Sequence, residues 1–107
     1  MAGAKVVVIY PSPKDADAFE KVYADEHLPL VTKKISGMTK AVLTKAVGAP
    51  QGDPQFHRIA EIHFASMEAL QESLASAGTQ EAAAHAQSIS TGGPIVVLVC
   101  EEQTVTF

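Results

Sequence analysis

The chain has 107 residues, 47% apolar and 19% charged, with a net charge of −4 and a pI near 5.4. That length makes one domain, 1–107, with a single core, and no apolar run approaches a membrane span. The acidic balance offers no basic field to a phosphate backbone, so neither nucleic acid nor membrane is an expected partner.

The opening "MAGAKVVVIY" lacks the basic segment, long apolar core and small-residue cleavage site of a secretory signal. Cytoplasm is the expected compartment. Residues 4–10, "AKVVVIY", form a β-branched run stopped by Pro11, Ser12 and Pro13, the pattern of a strand and a turn. From Asp15 the spacing becomes helical, with Phe19, Val22, Tyr23, His27 and Leu30 on neighbouring turns and Gly37 closing the segment. Residues 38–47, "MTKAVLTKAV", predict a second strand, followed by the loop "GAPQGDP".

A third strand is predicted over 56–65, "FHRIAEIHFA". Strict alternation sends Arg58, Ala60, Ile62 and Phe64 to one face and His57, Ile59, Glu61 and His63 to the other. Ser66 then reads as the N-cap of "MEALQESLA", with Gly78 past its end and Thr79 capping "QEAAAHAQSI". The last strand, "IVVLVCE" at 95–101, is apolar at odd and even positions alike, which predicts cover on both sides. Within it Cys100, the single cysteine, reads as a buried small hydrophobe in a reducing compartment.

The order βαββαβ is that of a ferredoxin-like α+β sandwich, a four-stranded antiparallel sheet with helices on one face. Two helices cannot cover both faces of so apolar a sheet. A second copy of the chain is the expected cover, giving a homodimer whose sheets pack face to face.

Chemistry concentrates in "YADEHLPLV". Asp15, Phe19, Tyr23 and His27 are spaced four apart and share one side of a helix, which lets Tyr23 reach the His27 ring. Pro29 removes a helical donor, so the helix is expected to kink or end near His27. The imidazole would then meet the negative carbonyl end, and its pKa would lie near neutrality. The plain structural alternative is a polar helix end bonding free carbonyls.

His57, Glu61 and His63 suggest a metal site, but residues six apart on a strand are separated by roughly 20 Å and no third ligand for Glu61 and His63 is visible. No metal is expected, and Glu61 is better read as hydrogen-bonded across strands or between subunits. His85 sits mid-helix without a partner in sequence, so solvent or a pocket wall are both open. There is no dinucleotide fingerprint, phosphate loop, nucleophile elbow or Cys-x-x-Cys, and no cofactor is expected. Haem held by one axial histidine lacks a basic cluster for the propionates. The RNA-binding sheet of the same topology lacks its stacking aromatics in "HRIAEIHF".

The stretches "YPSPKDADAFEKVYADEHLPLV", "KISGMTKAVLTKA", "HRIAEIHFASMEALQESLAS" and "GGPIVVLVCEE", with the His-x-Pro-Leu element at their centre, together resemble the EthD family of small dimeric α+β barrel proteins. The family often shows an acidic residue followed by an aromatic where "AAAHAQSIS" places His85 and Ile89, a departure that bears on any contribution from the last helix. The resemblance implies a sheet-to-sheet dimer and a pocket between helices and sheet, with His27 pointing in. It also implies association with oxidative breakdown of ethers and aromatics beside a monooxygenase system, often under an oxidoreductase label. The wider superfamily includes cofactor-independent monooxygenases, lyases, isomerases and cyclases.

Two functions follow as expectations. The first is an enzyme of catabolic oxidation that binds a small apolar organic molecule, with His27 as general acid or base assisted by Tyr23, and with Phe19, Phe64 and Leu30 lining the pocket. The second is a non-catalytic carrier for a neighbouring oxygenase, in which His27 anchors the ligand.

Overall fold

The structure is a computed structural model and describes residues 3–107. Strand β1 spans Gly3–Pro11. Asp15 caps helix α1 (Ala16–Val22) by accepting the Ala18 N–H at 3.1 Å, satisfying one of the free donors of the first turn.

At Tyr23–His27 the helix widens into one π-helical turn and then continues as α2 (Leu28–Lys34). Of the two expectations near His27, a kink or an end, the end is corrected: the helix changes its turn there and goes on. The Leu28 N–H donates to the Tyr23 carbonyl, five residues back, and Pro29 falls in the first turn of α2. A wider turn accommodates the missing donor and the bulk of the proline ring without breaking the helix. His27 thus sits inside a continuous helical segment rather than against an open carbonyl end. Gly37, at φ 82°, turns the chain beyond it.

Strand β2 is Met38–Lys45 and β3 is Phe56–Phe64. Ser66 caps α3 (Met67–Ala75), as the sequence suggests, accepting the Ala69 N–H at 3.1 Å. Ser76 then ends α3 and caps α4 (Ala77–Ile89), accepting the Thr79 N–H at 3.2 Å. Gly78 and Thr79 lie in the first turn of α4, not between helices. Strand β4 is Val96–Glu102.

The four strands pair antiparallel in the order β2-β3-β1-β4, the ferredoxin-like topology. Central β1 aligns Val6 with Ile62 of β3 and Val99 of β4. One face packs under the helices in two groups. Ala4, Val6, Ile62 and Phe64 meet Ile35, Leu70 and Ala82, while Tyr10 gathers Phe19, Tyr23 and Ala86, and Val8 touches both groups.

The pairing of β1 with β3 slips where Tyr10 opposes Arg58 and Pro11 opposes Phe56, leaving His57 as an extra residue on β3. Such a bulge breaks alternation. His57 accordingly turns with Arg58 toward α1, where both meet Glu20, instead of lining up with Glu61 and His63. Glu61 is bound across strands, as the sequence suggests, by Lys5 at 2.7 Å. No group of three potential ligands able to hold a metal ion occurs among the described residues.

On the opposite face β4 is bare within the protomer. Val96 and Leu98 are exposed, and Cys100 is half-buried rather than buried, because β4 is an edge strand with no helix laid over it. Among the described residues no helix is long and apolar enough to cross a membrane.

Candidate functional site

Between the two core groups lies a cavity of about 290 Å³. Its walls are Val, Leu, Ile and Ala from the sheet, α2 and α4, and the polar groups that reach it include Tyr10, Tyr23 and His27. An apolar enclosure with a few convergent polar groups is the usual form of a small-molecule site.

Those groups are placed by β1 and the π turn. Tyr10 ends the buried face of β1 and is 1% exposed; Tyr23 and His27 open and close the π turn at 2% and 5%. The Tyr10 hydroxyl lies 3.0 Å from His27 Nε2. On the other side of the ring, His27 Nδ1 lies 2.9 Å from Nδ1 of His85 on α4, and the two imidazoles meet edge to edge and nearly coplanar, with an interplanar angle of 13°. Tyr10, His27 and His85 form one hydrogen-bonded chain from the cavity wall to a half-buried residue at the surface.

Burial, and then the neighbouring His85, push the His27 pKa down from 6.5 to about 4, so the ring is neutral at pH 7. The expectation of a value near neutrality is corrected, because the carbonyl end that was to favour the cation does not exist. Burial also raises both phenols, and Tyr10 and Tyr23 remain protonated at any ordinary pH.

Tyr23 does not hydrogen-bond to His27. Their rings stack at 5.7 Å, and the Tyr23 hydroxyl is the only buried side-chain polar atom without a partner among the described residues. The Arg58 guanidinium lies over the Tyr23 ring, 5.0 Å from its centroid. Arg58 is held in turn by Glu20 through contacts of 2.6 and 3.1 Å. The hydrogen-bonded Arg58, with His57 behind it, holds the Glu20 carboxyl down at about 2.

A family model for the EthD domain matches residues 12–88. The chain belongs to the EthD family. An uncharacterized 11.0 kDa protein from the thcB-thcC intergenic region of Rhodococcus erythropolis is 29% identical to it over 101 residues, covering 94% of this chain and 96% of that one. The crystal structure of an ethyl tert-butyl ether d (EthD) family protein from Bacillus halodurans is 28% identical and covers 94% of this chain and 99% of its own, with a TM-score of 0.85. A hydroxynitrile lyase from Passiflora edulis shares the fold at 17% identity and a TM-score of 0.70, covering 97% of this chain and 96% of its own.

Within this EthD domain, His27, Tyr23 and Phe64 lie on the cavity wall. Phe19 stands outside the lining, stacked behind Tyr23 at 5.4 Å, and Leu30 is half-buried and also outside it. Spacing alone could not show this, since a four-residue row drifts around the helix and the π turn resets its phase. Tyr10 and His85 are the members that sequence reasoning missed. Tyr10 was readable as an inward strand position by alternation with Val6 and Val8, whereas nothing near His85 in sequence announces His27.

Proposed function

We propose that this EthD family protein binds a small, largely apolar organic molecule in the cavity and moves a proton at it, with His27 as the general acid or base. Tyr23 is the donor that orients an oxygen of the ligand. The unpartnered Tyr23 hydroxyl carries this reading: a buried phenol without an acceptor costs about 1–3 kcal/mol, and a bound carbonyl, hydroxyl or ether oxygen recovers that cost. Neutral imidazole and protonated phenol on one wall can polarise a carbonyl and transfer a proton with the chain's own groups. The setting we propose is oxidative catabolism of ethers or aromatics beside a monooxygenase, as the family resemblance implies.

The test is an NMR titration of the full chain with cyclohexanone, benzaldehyde and ethyl tert-butyl ether. Shifts at Val8, Tyr23 and Ala82, with affinity about tenfold weaker in Tyr23→Phe, are expected. No shift at cavity residues with any probe would reject the reading. One observation favours the carrier alternative, namely that both His27 ring nitrogens are already engaged. In a turnover assay His27→Gln abolishes the reaction and spares binding if His27 is catalytic; it changes affinity alone if the protein is a carrier.

We also infer that two copies pair through the sheet face away from the helices. Val42, Val96 and Leu98 lie there exposed, and an uncovered apolar sheet face of this kind is normally an interface.

A further inference from the structure

Proton transfer at the wall of an apolar cavity draws on bulk water, because each turnover that takes a proton from the wall must return one. The groups of the lining that can carry a proton are its tyrosines, its histidine and two threonines. His27 is 5% exposed and Tyr10 1%. His85 is different. It lies half-buried on α4, its Nδ1 meets His27 Nδ1, and its Nε2 bonds no protein group. Since that nitrogen is not among the buried orphans, it reaches solvent.

We propose that Tyr10, His27 and His85 form a proton relay, with His85 as its solvent terminal and the Tyr10 hydroxyl as the group through which His27 exchanges its proton with the ligand. The geometry requires this division of labour. Two facing Nδ1 atoms at 2.9 Å can share only one proton, so His27 and His85 hold complementary tautomers, and the tautomer of His27 decides whether Tyr10 donates to Nε2 or accepts from it.

In one direction Tyr10 O–H donates to His27 Nε2, His27 Nδ1–H donates to His85 Nδ1, and His85 Nε2–H points to water. In the other, every bond is reversed and the Tyr10 proton is offered to the cavity. Passing from the second to the first delivers that proton elsewhere: Tyr10 gives its proton to the ligand and takes one from His27 Nε2. His27 takes one at Nδ1 from His85, and His85 is reprotonated at Nε2 by water. One proton enters from solvent, one reaches the ligand, and no buried cation persists. The use of the relay rests on the proposed cavity chemistry, but its existence can be tested without any ligand.

The experiment is solvent exchange of the His27 ring N–H, followed by NMR on uniformly labelled full-length protein in the wild type, in His85→Phe, which keeps a flat ring without nitrogen, and in His85→Gln, which keeps a hydrogen bond but has no second nitrogen to pass a proton. Exchange slowed by about tenfold or more in the folded variants is the expected result. If His85 is only a packing partner, Phe preserves the wild-type rate, and that overturns the relay. A His27 ring proton too fast to observe in both variants overturns it equally, because water then reaches the ring without His85. Failure here leaves the cavity titration untouched, whereas a cavity that takes no probe leaves the exchange result standing.

Discussion

The Nδ1 atoms of His27 and His85, 58 positions apart in the chain, lie 2.9 Å from each other between nearly coplanar rings. Bringing them together takes the π turn on one side and the docking of α4 on the other. Burial makes His27 hard to charge, and the neighbouring His85 adds to it.

A pH dependence follows, with a definite sign. The His27 pKa is about 4 in the folded protein and 6.5 in the unfolded chain, so between those values the unfolded state binds more protons. Stability is therefore complete above 6.5 and falls as pH drops toward 4, by an amount on the order of 3 kcal/mol for this one group. Urea denaturation at stepped pH should show a shallower loss for His27→Gln than for the wild type over that window. Equal slopes would mean that His27 charges freely in the folded state.

The two buried tyrosines should respond in opposite ways to loss of the hydroxyl. Tyr10→Phe leaves His27 Nε2 without its partner in an apolar wall, at a cost of about 1–3 kcal/mol. Tyr23→Phe removes a hydroxyl that bonds nothing in the protein and should be neutral or stabilising by up to about 1 kcal/mol. Denaturation midpoints of the two variants, measured side by side, check the contrast. A large loss in Tyr23→Phe would show that its hydroxyl has a partner after all.

Gly78 offers a third prediction that runs against helix propensity. In the first turn of α4 a glycine-to-alanine change ordinarily stabilises by up to about 1 kcal/mol. Here a Cβ would stand 2.3 Å from the Lys34 carbonyl oxygen, a backbone atom at the end of α2 that cannot swing aside. Gly78→Ala should therefore destabilise, by about 1–3 kcal/mol, and calorimetry should record a lower Tm.

How much of this could be read from the sequence depends on the range of the cause. Strand and helix order, the Ser66 cap and the inward placement of Val6, Ile62 and Phe64 come from local periodicity and were legible. Pro29 reads as a kink or stop in the helix because its lost donor is a local fact. The π turn that absorbs it depends on what Tyr23 and His27 pack against. The bulge at His57 was invisible for a similar reason, since an extra residue in a ladder is a property of two strands and not of one. The candidate site was half visible: the helix supplied His27 and Tyr23, but their partners Tyr10 and His85 come from β1 and α4 and needed the tertiary structure.

The outer sheet face yields the last prediction. Leu98 on β4 is 47% exposed in the protomer and lies across from Val7, with Val42 and Val96 on the same side. Glu61 lies in the same cross-strand row, between Val42 and Val7, and Lys5 ties it to Glu102, at 2.7 and 3.1 Å. A charged cluster set into an apolar patch fixes how a second copy is oriented, because a copy placed with charges against valines strands them without water. Sedimentation at micromolar concentration should give a dimer for the wild type. Leu98→Lys should shift it to monomer by burying a charge in the apolar part of the interface, while leaving the helix-side core and the His27 site intact. A wild type that sediments as a monomer would mean that this face stays open to water, and Leu98→Lys would then change nothing.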